Sequence, residues 1–337
     1  MRPSLLAALS LALVVASPGV ASADEADHRT VFTFDDPAIT ESSGLVARSG
    51  VMFTVNDSGD GPYLYAVDSG TGDTVGVTTY SSNQVSDVEA IAPGPAATVW
   101  VGDIGDNNND RPAVDVYRVP VGPPRGDTEV DADRYGLAYP DGPQDAEALL
   151  VHPTSGRVYV VSKGILGGTV YAVPASPQQG TVNRMSEVGQ VPGLVTDGAF
   201  FPDGRHIVLR SYGTAAVYTF PALRQVGRMD LPAQEQGEAV AVDDRGRVFL
   251  STEGAYTEVL QILLPRKVRA ALGDDDPTGL PSPAPVAEAP DPTSDRLSAD
   301  EGDGVWIAGG TLLVTLLVTL AGWLLFTASR RRSPRRR

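Results

Sequence analysis

Aspartate and glutamate recur in this chain at the starts of short apolar runs. Asp87 and Glu89 lead into Ala90-Ile91-Ala92, and Asp145 and Glu147 into Ala148-Leu149-Leu150. Asp197 leads into Gly198-Ala199-Phe200, and Glu238 into Ala239-Val240-Ala241. A second set, Asp57, Asp103, Lys163, Arg210 and Glu253, lies in or beside polar turns that carry glycine. Carboxylates held close together repel, and a hard cation such as Ca²⁺ relieves this by taking roughly six to eight of their oxygens. The densest polar stretch is Gly102-Asp103-Ile104-Gly105-Asp106-Asn107-Asn108-Asn109-Asp110-Arg111, behind the apolar Thr98-Val99-Trp100-Val101. Asp103, Asp106, Asn108 and Asp110 could wrap a cation, although their spacing misses the EF-hand pattern, which wants an early glycine and a late glutamate. Asn and Asp tolerate left-handed backbone, so a hairpin turn that takes calcium on occasion is the expectation for this run.

Two readings of these acids stand side by side. In one, Asp57, Asp87, Glu89, Asp103, Asp106, Asp145, Glu147 and Glu238 hold metal, while Lys163, Arg210, Asp197 and Glu253 meet a ligand, the two cations facing an anionic group. In the other, the same side chains accept backbone N–H groups and pin neighbouring units together. Recurrence in every unit favours the second, because a ligand site seldom uses five equivalent positions equally. No residue is assigned a catalytic part. G-x-S-x-G, Walker and H-E-x-x-H signatures are absent from the chain. There is no cysteine, hence no disulfide, thiol nucleophile or cysteine-ligated zinc. The three histidines are scattered, and His152 and His206 flank turns, where solvation is the simplest expectation.

The elements that position the acids repeat. Each opening apolar run passes through a Gly or Pro turn into a second one: Val51 to Val55, Thr98 to Val101, Arg157 to Val160, His206 to Leu209 and Arg247 to Leu250. Third runs follow at Tyr63 to Val67, Val114 to Tyr117, Thr169 to Ala172, Ala216 to Thr219 and Val259 to Ile262. Alternation and β-branched or aromatic content make these strands. Weaker fourth strands are expected near Thr74 to Tyr80, Tyr135 to Tyr139, Met185 to Val191 and Gln225 to Leu231. The fifth unit lacks one, and Thr30 to Phe34 is expected to supply it. The fold class is therefore all-β: a five-bladed β-propeller, with six blades as the alternative, closed by its N-terminal strand. Tyr65, Tyr117, Tyr171 and Tyr218 fall at like places in the third strands, a pattern that marks packing between blades.

The phrases NDSGDGPYLY, DVEAIA, VGDIGDNNNDR and VTDGAFFPDGR resemble those of an actinobacterial family of secreted or membrane-anchored propellers of the WD-repeat-like class. The resemblance spans roughly residues 30 to 265 and specifies a fold better than an activity. A more distant likeness to β-propeller phytases implies an acidic rim that holds calcium. This chain lacks their full set of motifs, and five blades would differ from their six.

Residues 1–23 have a basic start, an apolar run and a small-residue end, the pattern of a secretory signal peptide. The propeller is expected over 24–272. Residues 273–304 are rich in proline and acid, with too little apolar surface to offset ordering entropy, and read as an extended stalk. Residues 305–328 are uncharged and exceed the roughly 20 residues a membrane-spanning helix needs. The arginine-rich 329–337 would hold that end in the cytoplasm. The expected product is a single-pass surface protein whose propeller lies outside the cell membrane. Setting aside Arg2 and six tail arginines leaves 19 basic residues against 42 acidic ones, a charge of −23 on the exported part. That excludes nucleic acid as a partner. The function expected is a binding or scaffolding module for an extracellular protein or a small anionic ligand. A calcium-dependent hydrolase, phytase-like or lactonase-like, is the alternative.

Overall fold

Fully buried apolar runs such as Ala146–Val151 and half-exposed alternating runs such as Thr74–Tyr80 alternate along the chain, and the pattern follows from radial position. A strand flanked by other sheets on both faces reads as continuously apolar, whereas one with a wet face alternates. The computed structural model describes residues 26–273, apart from 49, 58, 83, 84, 123 and 124. The chain opens with β1 (His28–Thr33) and lays down blade 1 as β2 (Ser42–Arg48), β3 (Val51–Asn56), β4 (Tyr63–Asp68) and β5 (Thr74–Tyr80). Blade 2 holds β6 (Val88–Pro93), β7 (Thr98–Asp103), β8 (Val114–Pro120) and β10 (Asp133–Ala138), with the short β9 (Thr128–Val130) in its last connection. Blade 3 has β11 (Ala146–Val151), β12 (Val158–Ser162), β13 (Gly167–Ala172) and β15 (Ser186–Pro192), with the short β14 (Val182–Arg184) before the last. Blade 4 is β16 (Asp197–Phe200), β17 (His206–Arg210), β18 (Thr214–Thr219) and β19 (Gln225–Asp230). Blade 5 is β20 (Gly237–Val242), β21 (Val248–Thr252) and β22 (Glu258–Ile262), followed by helix α1 (Arg266–Leu272).

Closure is as the sequence suggests. β1 pairs antiparallel with β22, setting Thr30 against Leu260 and Thr33 against Glu258, so the chain's beginning completes its last blade. The innermost strands β2, β6, β11, β16 and β20 neighbour one another in a closed ring. Five core clusters fill the five gaps. Phe53 and Leu64 of blade 1 meet Val101 and Tyr117 of blade 2, and Phe249 of blade 5 meets Met52 and Tyr65 of blade 1. The recurrent tyrosines do the packing foreseen for them. Tyr117 lies 5.5 Å from Tyr80 of the preceding blade, and Tyr171 lies 5.0 Å from Tyr139. Among the described residues the ring closes on itself and each of its five gaps is filled, so residues 26–273 form a self-contained propeller.

Three elements go beyond the sequence reading. β9 runs parallel to β5 and β14 parallel to β10, so blades 1 and 2 each gain a fifth strand lent by the following blade. Both are three residues long, too short to show a period. Helix α1 packs Val268 into the cluster between blades 4 and 5, against Gly227, where a Cβ would meet Val268 Cγ2 at 2.4 Å. No helix among the described residues is long and apolar enough to cross a membrane. The expected signal peptide, membrane span and basic tail, and the stalk beyond Gly273, lie outside the described residues.

Candidate functional site

The antiparallel ladders bring the turn after the second strand to the start of the innermost strand in each blade. Ala146 faces Ser162, and Val88 faces Asp103. One backbone bond ties the two ends together in four blades: Asp57 N to Glu41 O, Gly105 N to Asp87 O, Lys163 N to Asp145 O and Glu253 N to Gln236 O, at 2.8 to 3.2 Å. Turn residues and strand-start acids therefore share one end of the channel, the acidic end.

β-Bulges decide how the acids point. The register slips between Ser42 and Gly44, Val88 and Ala90, Ala146 and Ala148, and Gly237 and Val240. Ser43, Glu89, Glu147 and Glu238 sit in these slips, and a bulge re-aims a side chain while leaving backbone groups without a ladder partner. Neighbouring blades supply those partners. Ser43 donates its hydroxyl to the Glu89 carbonyl at 3.0 Å. At the junction of blades 4 and 5 the pairing is more complete. Thr196 donates to the Glu238 carbonyl, Arg210 Nη1 to the Ala239 carbonyl, and Asp197 Oδ2 accepts the Val240 N–H at 2.7 Å. Arg210 also reaches the Ser251 carbonyl and Gln234 Oε1. Asp197 and Arg210 are both buried, and burial pushes the Asp197 carboxyl well up and the Arg210 guanidinium down to about 10. The structure thus sets Asp197 and Arg210 as pins between blades.

Asp103 and the run behind it are held in the same way. Fully buried Asp103 accepts the N–H groups of Ser86 and Asp87 and pairs with Arg111 at 2.8 Å. Asp106 accepts the N–H groups of Asp110 and Arg111 and so closes the insertion on itself. The insertion then clasps blade 3: Asp106 N donates to Asp145 Oδ1 at 2.8 Å, and Asn109 Oδ1 accepts the Asp145 N–H at 3.0 Å. Asn109 adopts the left-handed backbone expected of the run, with φ of 52°.

What remains is a compact acidic group. Asp57, Asp87 and Glu89 each offer a carboxylate oxygen within 4.8 Å of the others, a spacing that one cation of calcium size could bridge. The backbone of Gly105 presses against two of them: a Cβ there would stand 2.4 Å from Asp87 Oδ2 and 2.5 Å from Glu89 Oε1. Burial, with Asp57 and Asp87 adding like charge, pushes the Glu89 carboxyl up to about 9. Across the mouth Lys163 pairs with Glu147, whose buried Oε2 accepts no hydrogen bond among the described residues. Gln236 bridges Glu238 and Glu253. Burial raises Glu238 to about 7 and also raises Glu253, and Lys163 opposes the rise of Glu89, Glu238 and Glu253. Of the proposed metal ligands, the structure gathers Asp57, Asp87 and Glu89 into one group. Glu147 and Glu238 stand elsewhere around the mouth, and the oxygens of Asp103, Asp106 and Asp145 face backbone N–H groups.

Sequence reasoning missed the apolar surround. Ile165 and Leu166, 90 and 94 % exposed, follow Lys163 in the β12–β13 turn, and Tyr212 and Tyr256 occupy the matching turns of blades 4 and 5. Exposed Tyr63 begins β4 at the same end. Their signal is position: they occupy the turns after the second strands, where the polar residues alone point to chemistry. The histidines also differ from expectation: His206 is buried and its Nδ1 lies 2.6 Å from Asp203 Oδ2, while His152 Nδ1 accepts the N–H groups of Thr154 and Ser155. No protein-family model and no curated protein sequence matches the chain, so its role rests on the geometry of this site.

Proposed function

We propose that the chain is a cell-surface binding module, exported by its signal peptide and tethered by its C-terminal span, that holds an extracellular protein against the acidic end of the propeller. One observation carries this reading. Of the seven large apolar side chains exposed among the described residues, five, Tyr63, Ile165, Leu166, Tyr212 and Tyr256, stand at that end around the carboxylates. Exposed apolar groups gathered round a charged centre mark protein-binding surfaces, with tyrosine enriched among their anchors. A cavity lined by the far ends of the innermost strands opens at the other end of the channel, whereas the acidic end presents these projecting side chains, a surface that suits a macromolecule. Its charge selects a partner with a basic patch. Calcium at Asp57, Asp87 and Glu89 would stiffen the turns that carry the anchors.

The test compares the wild-type 24–282 segment with a Tyr63→Ser, Leu166→Ser, Tyr212→Ser, Tyr256→Ser variant in cross-linking to the surface of the producing cells, read by mass spectrometry. The expected result is a defined cross-linked protein that disappears with the variant while its melting temperature is kept. Equal cross-linking by both proteins would sink the proposal. For the metal, calorimetry with CaCl₂ is expected to show one site that Gly105→Ala abolishes, because the added methyl must push Asp87 and Glu89 away.

A second reading, a calcium-dependent hydrolase of phosphorylated or lactone substrates, is favoured by the group of Asp57, Asp87 and Glu89, whose oxygens lie within 4.8 Å of one another and could seat the ion that such a reaction uses. Phytate turnover that requires calcium and is lost in Glu89→Gln would select it.

A further inference from the structure

The end of the channel opposite the acids opens into a cavity of about 1130 Å³, at or above the size of pockets that enclose small ligands, roughly 300 to 1,000 Å³. Leu45, Ile91, Leu149 and Ala241, from the second halves of four innermost strands, give it apolar walls. Two arginines at its edge lack a counter-charge. Arg48 donates to the Gly94, Ala96 and Thr98 carbonyls, and Arg157 donates its Nε to the Val173 carbonyl while lying over the Tyr159 ring. Among the described residues neither has a carboxylate within ion-pair distance. The other charged side chains on the lining differ: Arg118 is paired with Asp133, Asp243 with Arg247, and Asp244 is exposed. The indole of Trp100, also on the lining, is buried with no acceptor for its Nε1–H among the described residues. In a chain this acidic, two arginines on the lining that meet only carbonyl oxygens set positive charge at the edge of an apolar hollow.

We propose that this cavity binds a free amphiphilic anion: an apolar chain or ring system inside the channel, and a carboxylate, sulfonate or phosphate head at Arg48 and Arg157. The site is independent of the acidic end. Its occupant is one small molecule rather than a bilayer, because the apolar surface lines a concave hollow instead of projecting from the protein.

Trp100 is the one tryptophan in the 24–282 segment, so its emission reports on the cavity directly. The probe is dodecanoate below its micelle concentration. Saturable change in Trp100 emission and a calorimetric stoichiometry near one are expected, with no response to acetate or to dodecyltrimethylammonium. Arg157→Gln removes a charge-assisted contact and should weaken dodecanoate about tenfold, whereas the exposed Arg224→Gln should leave it unchanged. Ala199→Phe, which fills part of the hollow, should weaken dodecanoate as well, and melting curves of both variants establish that they are folded. The proposal is overturned by silence toward dodecanoate, by an equal response to the cationic amphiphile, or by unchanged affinity in a folded Arg157→Gln protein. A response to phosphatidylglycerol vesicles without one to dodecanoate would assign this end to a membrane surface and overturn it too.

Discussion

At the scale of single residues, similar side chains in this ring have different tasks because bulges free different backbone groups. Arg210 and Asp197 answer the carbonyls and the N–H released around Glu238 to Val240, and removing either leaves buried polar groups without partners. Arg210→Met is therefore expected to cost about 3–5 kcal/mol in urea unfolding, the range for breaking a buried charged network. Glu89 behaves in the opposite sense. Its carboxyl titrates near 9 in the fold against about 4.5 in the unfolded chain, so the folded state holds the extra proton. Its contribution to stability is complete below about pH 4.5, falls as pH rises, and is gone above about 9; Glu238 adds the same trend up to about 7. Melting temperature without calcium should accordingly fall between pH 5 and 9, and Glu89→Gln should flatten that fall. Protons and calcium compete for the same oxygens, so calcium affinity should strengthen over the same interval. A melting temperature independent of pH in the wild-type protein would show that Glu89 is an ordinary carboxylate.

At the scale of elements, β1 is the clearest device. It covers β22, which would otherwise be an open edge, and brings Phe32 into the cluster between blades 5 and 1. Deletion of residues 24–34 is expected to abolish cooperative melting rather than merely lower its midpoint, because one of five gaps loses Phe32 and Phe34 and one blade its closing strand. Retention of a sharp transition by that deletion would contradict this. The strand pattern was legible because innermost strands such as Ala146–Val151 are sealed on both faces and outer ones such as Thr74–Tyr80 are not, so burial is written into the alternation. The missing fourth strand of blade 5 was legible from counting. The lent strands β9 and β14 were not, because pairing through three backbone residues needs no particular side chains. The site was legible to the extent that Asp57, Asp87 and Glu89 were named together with acids that now face amides. Separating the two groups required the bulges, which depend on a one-residue slip that composition does not record.

At the scale of the whole molecule, the ring has two unlike ends: carboxylates and exposed tyrosines at one, arginines around an apolar hollow at the other. With a charge of −23 over residues 24–304, the protein should attract a basic partner at long range. Its association rate with the partner recovered by cross-linking is expected to fall at least about tenfold between 20 mM and 500 mM NaCl, with a much smaller change in dissociation. A rate insensitive to salt would mean that the tyrosines, and not the acids, guide encounter. The seam at blade 5 has a mechanical corollary. A pull on the chain beyond Gly273 reaches the ring through α1 and then β22, a strand gripped along both edges, by β21 on one side and β1 on the other. Such a load must shear two ladders at once instead of unzipping one, so the point where the wheel is fastened is also where it best withstands tension.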